Sequence, residues 1–382
     1  MADGTGIDKD GKLQDGIALC LSGGGYRAMV FHLGSLLRLN EAGLLKRLSR
    51  VSSVSGGSIT AACLGLHWRD LDFDVHGRAR GLDVVVDKIR TMAATTIDTG
   101  AIIGGILLPG SVGERVARAY DDTLFDGAEL ADLPADGDGP RFVINATNVQ
   151  SAVSWRFSRP YMGDYRVGLV PNPRVDLAFA VAASSAFPPV LSPVAMDVAD
   201  AFDPRTIGDL DDPAYRGTVM LTDGGVYDNL GLETAFRRYR TLLVSDGGQR
   251  IGADAQPARD WARHSARILD VVDNQVRSLR KRRLIEAFER KDRTGAYWGI
   301  RSDHADYRTK TDPLGCADRD PKALAAMPTR LRAMPDELQE RLINWGYAIA
   351  DAALRTHFGQ ELRDRYGVTI SDPTGFPYPR GY

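Results

Sequence analysis

Two junctions close together near the start of the chain limit its fold more than any other feature of the 382 residues. In the first, an apolar run at 17–21 leads into Ser22-Gly23-Gly24-Gly25-Tyr26-Arg27 and then into an amphipathic stretch at 29–39. In the second, Val51-Ser52-Ser53-Val54-Ser55-Gly56-Gly57-Ser58 leads into a helical run at 59–66. Each reads as a strand that turns sharply into a helix, and together they predict an α/β fold with a largely parallel sheet. The glycines of the first turn leave backbone N–H groups aimed at one spot, and the second turn presents a serine. A nucleophile beside an oxyanion site is what acyl transfer requires.

Four serines compete for that role: Ser52, Ser53, Ser55 and Ser58. A serine on a strained elbow needs small neighbours two before and two after it. Ser55 has Ser53 and Gly57 there. Ser52 has Arg50 and Val54, Ser53 has Val51 and Ser55, and Ser58 already opens the helical run. Ser55 is the expected nucleophile, a helix N-cap serine the plainer alternative. Gly23, Gly25 and Ala28 also fit the spacing of a dinucleotide-binding loop. That reading needs an acid at the end of the next strand, and the strand at 50–54 ends in serines, with Glu41 falling before it.

For a base, the six histidines offer little context. His32 and His67 lie inside helical patterns; His304 and His357 are the candidates for a triad. A more specific signal is Leu221-Thr222-Asp223-Gly224-Gly225-Val226-Tyr227-Asp228-Asn229, where an apolar run ends in a carboxylate followed by two glycines. A carboxylate serves as general base when burial raises its pKa toward neutrality. Ser245-Asp246-Gly247-Gly248 repeats the pattern, but there Asp246 is expected to close a core strand through turn hydrogen bonds.

These residues resemble the patatin-like phospholipase family, in which a glycine-rich oxyanion loop, a Gly-x-Ser-x-Gly elbow and an Asp-Gly-Gly or Asp-Gly-Ala motif follow in that order. The Ser-Gly-Gly-Gly-Tyr-Arg-Ala form is also similar to the related cytosolic phospholipases A2. Ala183-Ser184-Ser185-Ala186-Phe187-Pro188-Pro189 is similar to the segment preceding the family's aspartate, and Phe142-Val143-Ile144-Asn145-Ala146-Thr147-Asn148 to a core strand of bacterial members. Two positions depart from the pattern: Ser53 replaces the elbow's first glycine, and Ala28 the loop's last. The resemblance, over residues 16–250, implies a three-layer α/β/α sandwich acting as a lipid acyl hydrolase. It implies Ser55 as nucleophile, Asp223 as base within the Asp223-Gly224-Gly225 motif, and Gly23, Gly24, Gly25 and Arg27 around the oxyanion, with no cofactor or metal and no catalytic histidine. A histidine-triad esterase or thioesterase, and a non-catalytic nucleotide-binding module, are the rival readings.

The rest of the sequence fits such an enzyme. Its 48 basic and 50 acidic residues leave a formal charge of −2, so no global field draws it to nucleic acid. Cys20, Cys63 and Cys316 read as buried thiols of a reducing compartment, the N-terminus shows no apolar signal segment, and no run reaches the length of a membrane span. A cytoplasmic enzyme touching the membrane surface transiently is expected. The apolar run at 101–108 and the basic Arg280, Lys281, Arg282 and Arg283 are the candidate membrane contacts. The expected divisions are a mobile tail at 1–15, the catalytic core at 16–250, a helical extension at 251–360 that carries an apolar stripe of Ile268, Val272, Val276 and Leu279, and an irregular end at 361–382.

Overall fold

The apolar run at 17–21 becomes part of β1 (Gln14–Leu21), the strand about which the sheet is built. The structure, a computed structural model, describes residues 12–97, 112–189, 191–198, 201–249, 251–316 and 320–381. Strand alternation sorts β1 between two cores. Ile17, Leu19 and Leu21 enter the larger one, Ala18 and Cys20 a smaller one on the opposite face. A strand buried on both faces reads as a continuous apolar run, as this one does.

On one side β1 pairs in parallel with β2 (Leu48–Val54), after which come a short hairpin, β3 (Asp72–Phe73) and β4 (Ala79–Arg80), and then β5 (Arg141–Asn148), parallel to β2. Antiparallel strands β6 (Val153–Phe157), β7 (Tyr161–Asp164) and β8 (Gly168–Pro171) extend the sheet beyond β5. Strands β9 (Val194–Asp197) and β10 (Thr218–Asp223) pair with each other. On the far side of β1 lie β11 (Tyr239–Asp246) and β12 (Thr294–Gly299), both parallel. The chain thus leaves β1 in opposite directions, and open α/β sheets hold their ligands at the carboxyl ends of strands at such a switch point.

How β10 enters the sheet decides what happens there. β2 pairs with the first part of β5, ending with Val54 opposite Asn145. β10 runs antiparallel to β5 and pairs with its last part, ending with Asp223 opposite Ala146. β6 occupies the other edge of β5 over residues 144–148, so β2 and β10 share one edge and meet there end to end. The residue after Val54 is Ser55.

Helices α1 (Gly25–Glu41), α2 (Gly56–Leu66), α3 (Asp83–Ala94), α4 (Val112–Tyr120) and α5 (Leu177–Ser184) cover the larger core. The long α6 (Trp261–Glu289) lies on the opposite face through Leu284, and α7 (Asp336–Ala353) and α8 (Gly359–Tyr366) return to the first. Helices therefore flank a mixed sheet with a parallel centre. Three expected boundaries move. β1 starts at Gln14, inside the presumed tail, because its backbone pairs with Arg238. The helical extension contributes β12 to the sheet, and α8 runs into the stretch expected to be irregular.

The extension is bound to the core by backbone contact. A Cβ on Gly34 of α1 would lie 1.9 Å from the Ile343 carbonyl oxygen, and one on Gly346 of α7 2.0 Å from that of Phe31. Beside this crossing the buried Arg38 pairs with Asp351 at 2.7 Å. No side chain can be added at either glycine without separating the helices. Gly34→Ala and Gly346→Ala should each lower unfolding stability by about 3 kcal/mol in denaturant titrations. Wild-type midpoints for both would contradict the packing.

Candidate active site

Ser55 sits on a backbone that side chains rarely adopt, with φ 52° and ψ −123°. A serine held there is strained, and the strain persists only because its surroundings fix it. Its N–H donates to Ser184 Oγ at 3.0 Å, and Ser184 in turn donates to the Asn145 carbonyl at 2.7 Å. The Ser55 carbonyl accepts the N–H of Ser58 at 2.8 Å, which starts α2. The glycines that follow are required by proximity. A Cβ on Gly56 would come 2.1 Å from the Gly25 carbonyl oxygen, and one on Gly57 2.4 Å from that of Leu21. The amino ends of α1 and α2 are thereby pressed together, and both helix dipoles present their positive ends beside Ser55. Ser53 stays in the buried elbow, where its hydroxyl accepts from Ser58 at 3.0 Å.

Asp223 ends β10 and is 3% exposed, while Ser55 is 7% exposed. Its N–H donates to the Ala186 carbonyl at 3.0 Å, and its carbonyl accepts from Thr147 Oγ1 at 2.9 Å. Burial pushes the carboxyl up to about 7, against hydrogen bonds from the Gly225 N–H and the Ser55 hydroxyl; Asp273 adds to the rise. The Gly225 bond is 2.7 Å long. Gly224 lies against β5, where a Cβ would be 2.2 Å from the Asn145 carbonyl oxygen. Serine, hydroxyl-bonded carboxylate and two helix ends thus stand at the carboxyl ends of neighbouring strands.

The glycine loop divides. The Gly23 N–H is taken by Asn229, donating to its carbonyl at 3.0 Å and to Oδ1 at 3.1 Å. Gly24 and Gly25 form the amino end of α1, with φ 143° and 60°. Arg27, expected in the anion cradle, turns away from it. Its guanidinium donates to the Gly247 carbonyl at 3.0 Å, to the Met327 carbonyl and to Thr329 Oγ1 at 3.2 Å, tying α1 to the segment before α7. Asn229 Nδ2 donates to both oxygens of Asp273 on α6, at 3.2 Å each. Asp273 therefore fixes which way the Asn229 amide points. Burial pushes the Asp273 carboxyl up to about 6. Neither its role nor that of Ser184 follows from sequence spacing, though Ser184 falls inside the Ala-Ser-Ser-Ala segment noted above.

The rival features take other places. His304 lies 3.8 Å from Asp312, His357 stacks edge-on against Tyr307, and His32 bonds Ser245 and the Ser22 carbonyl; among the described residues no histidine hydrogen-bonds to Ser55 or Asp223. Asp246 accepts from the Gly248 N–H at 2.9 Å and from Tyr297 OH at 2.7 Å, a turn and a strand-to-strand tie. Of the basic run, Arg280 faces inward to Glu233 at 2.9 Å and Asp228 at 3.5 Å, Lys281 covers the Tyr297 ring and Arg283 that of Phe236. Arg280 and Lys281 are thus taken up by packing, while Arg282 and Arg283 stay exposed. The apolar run at 101–108 lies outside the described residues.

The sequence matches the family model of patatin-like phospholipases over residues 19–236. No curated protein matches it. Among solved structures it is similar to human GIVD cytosolic phospholipase A2 in complex with methyl gamma-linolenyl fluorophosphonate, at 16% identity over 90% of this chain and 58% of that one, with a TM-score of 0.49. A second structure of the human protein matches at 15% identity over 63% and 44% of the two chains, with a TM-score of 0.42. VipD from Legionella pneumophila matches at 16% identity over 91% and 67%, with a TM-score of 0.39. This chain spans about half the length of the phospholipase A2 chains it matches.

The raised carboxyl has a cost in stability. An unfolded Asp223 titrates near 3.8 and the folded one near 7. Between those values the unfolded chain has released its proton and the folded one has kept it, so stability falls as pH rises through that window. Above pH 7 the full cost is on the order of 4 kcal/mol. Asp223→Asn should therefore gain stability over wild type as pH goes from 4 to 8. A difference that stays constant across denaturation curves in that range would refute the raised pKa.

Proposed function

The chain belongs to the patatin-like phospholipase family, whose model spans more than half of it, and we propose that it hydrolyses lipid acyl esters through a Ser55–Asp223 dyad. The observation that carries this reading is the meeting of β2 and β10 on β5, which sets Ser55 beside the buried Asp223, whose carboxyl burial pushes up to about 7. A group with that pKa both takes and returns a proton at neutral pH. Asp223 accepts the Ser55 proton as Oγ attacks the ester carbonyl carbon. The C=O π electrons move onto oxygen, where the Gly24 and Gly25 N–H groups and the two helix ends stabilise the oxyanion. When the tetrahedral intermediate collapses, the bond to the leaving oxygen breaks and Asp223 gives that oxygen its proton. Water then attacks the acyl-Ser55 ester, Asp223 takes the water's proton, and Ser55 recovers a proton as the fatty acid leaves.

A lipid substrate is supported by apolar surface beside the site. Phe187 and Val226, each next to a residue that bonds or adjoins the Asp223 motif, are 41% and 47% exposed. Three of the four stripe residues on α6 are turned outward: Ile268, Val272 and Leu279 are 47%, 53% and 50% exposed, with Trp261 at 83% on the same side, while Val276 is half-buried. The helix packs instead through Asp273, Arg277, Arg280 and Leu284, roughly a third of a turn away. Through Asp273 and Asn229 this helix reaches the glycine loop. We assign α6 a membrane contact; an aromatic and aliphatic stripe of this kind enters the interfacial region of a bilayer. Among the described residues no helix is long and apolar enough to cross a membrane.

The chemistry is tested by kinetics. Ser55→Ala should abolish hydrolysis and labelling by a fluorophosphonate, and Asp223→Asn should cut kcat about 10²–10⁴-fold. Asp246→Asn, His304→Ala and His357→Ala should remain active when folded. For wild type, kcat/KM should fall about tenfold per pH unit below an inflection near 7, since protonation removes the base. Loss of turnover in a folded histidine variant would instead favour a triad esterase.

The lipid contact is tested by sedimentation with vesicles. Replacing Trp261, Ile268 and Val272 by serine should weaken vesicle binding and hydrolysis of vesicle lipid while leaving a soluble ester's kcat/KM unchanged. Equal binding by the variant would remove α6 from the interface.

A further inference from the structure

Beneath the segment that follows Asp223 lies a cavity of about 200 Å³ that the hydrolytic steps do not use. Arg50 of β2, Arg156 of β6, Arg237 and Arg238 line it, with Tyr161 and Glu233. Alternation along β2 puts Arg50 on the same face as Ser52, whose hydroxyl bonds the Gly231 carbonyl and Thr234, and opposite to the face of Val51 and Ser53.

Arg50 is the informative residue. It is 2% exposed, yet only part of its guanidinium is satisfied. Nη1 donates to the Thr234 carbonyl at 2.8 Å, and the group lies 5.4 Å over the Tyr239 ring. Among the described residues, Nε and Nη2 are buried with no acceptor. Burying a charge with unmade hydrogen bonds is strongly unfavourable, and a position that keeps one calls for a counter-charge. The acid in the lining does not provide it: Glu233 is already shared by Arg237 and Arg280, each at 2.9 Å. Tyr161 lies in the field of the clustered guanidinium groups. Burial alone would raise its phenol, but Arg50, Arg156, Arg141 and Arg238 together draw it below the ordinary value.

We infer that this cavity binds a phosphate group, free or carried on a small organic molecule. Guanidinium forks match the paired oxygens of a tetrahedral anion, and tyrosine hydroxyls add neutral donors. The volume is below that of a pocket for a drug-sized ligand, which fits a phosphate with few further atoms. Glu233, Thr234, Arg237 and Arg238 belong to the stretch that continues from Asp223 through Asn229. An anion held between them and the strands steadies the segment that carries the base and holds Gly23.

The test is independent of catalysis and uses the full chain with Ser55→Ala, so that no lipid is consumed. Calorimetry and thermal melts are run with inorganic phosphate, glycerol 3-phosphate and a short-chain monomeric phosphatidic acid, against potassium chloride at equal ionic strength. Saturable binding should raise Tm by a few degrees at about a hundred times Kd. Arg50→Gln should weaken it about 10–100-fold, as expected for lost charged hydrogen bonds. Arg156→Gln, on a separate strand, should weaken it likewise and guards against misfolding of the first variant. Binding of the free anions identifies a soluble ligand, and binding of phosphatidic acid alone identifies a lipid headgroup; both support the site. No saturable binding of any of the three, or equal binding by both folded variants, overturns it.

Discussion

The structure depends on one edge of one strand. β5 offers its early residues to β2 and its late residues to β10, and the two arrive from opposite directions. With Val54 opposite Asn145 and Asp223 opposite Ala146, hydrogen-bond register alone sets the last residue of β10 beside the first residue after β2. No flexible loop has to bring Ser55 and Asp223, the proposed nucleophile and base, together. Ser184 reinforces the meeting point, since it accepts from Ser55 and donates to Asn145 of the same strand.

Two opposed electrostatic demands are met within this small volume. The amino ends of α1 and α2 favour negative charge beside Ser55, while burial makes negative charge on Asp223 expensive. The first suits a transient oxyanion and the second a base that must also return its proton. Asp273 works in both respects. It holds the Asn229 amide that occupies the Gly23 N–H, and its own charge raises Asp223 further.

The parts of this arrangement that are local in sequence were legible there. A strand, a glycine turn and a helix follow one another in the chain, so the elbow at Ser55, the loop at Gly23 to Gly25 and the Asp223 motif could be read from spacing, as could the α/β class. Parts that depend on which way a side chain points could not. Arg27 sits in the loop but its guanidinium goes to Gly247, Met327 and Thr329, far away in the chain. Arg280 looks like part of a solvated basic run and is spent on Glu233. The stripe of Ile268, Val272, Val276 and Leu279 has the spacing of a packing face, yet all but the half-buried Val276 are exposed, since Asp273 and Leu284 face the protein instead. β12 was hidden because its six residues, Thr-Gly-Ala-Tyr-Trp-Gly, carry two glycines and little strand pattern.

The glycine crossing of α1 and α7 also bears on access to Ser55, which is almost closed from solvent. Gly34 and Gly346 bring the two backbones into contact, and Arg38 with Asp351 locks the same crossing. The glycine loop is the front end of α1, so it cannot swing without dragging α7 and the larger core with it. The opposite wall is far less burdened: the first half of α6 is exposed along most of its length and reaches the loop through Asn229. One wall of the site is thus tied to the larger core, and the other rests on few buried residues. On the proposed lipid contact, a bilayer that grips the outer stripe of α6 would pull on Asp273 and, through Asn229, on the Gly23 end of the loop.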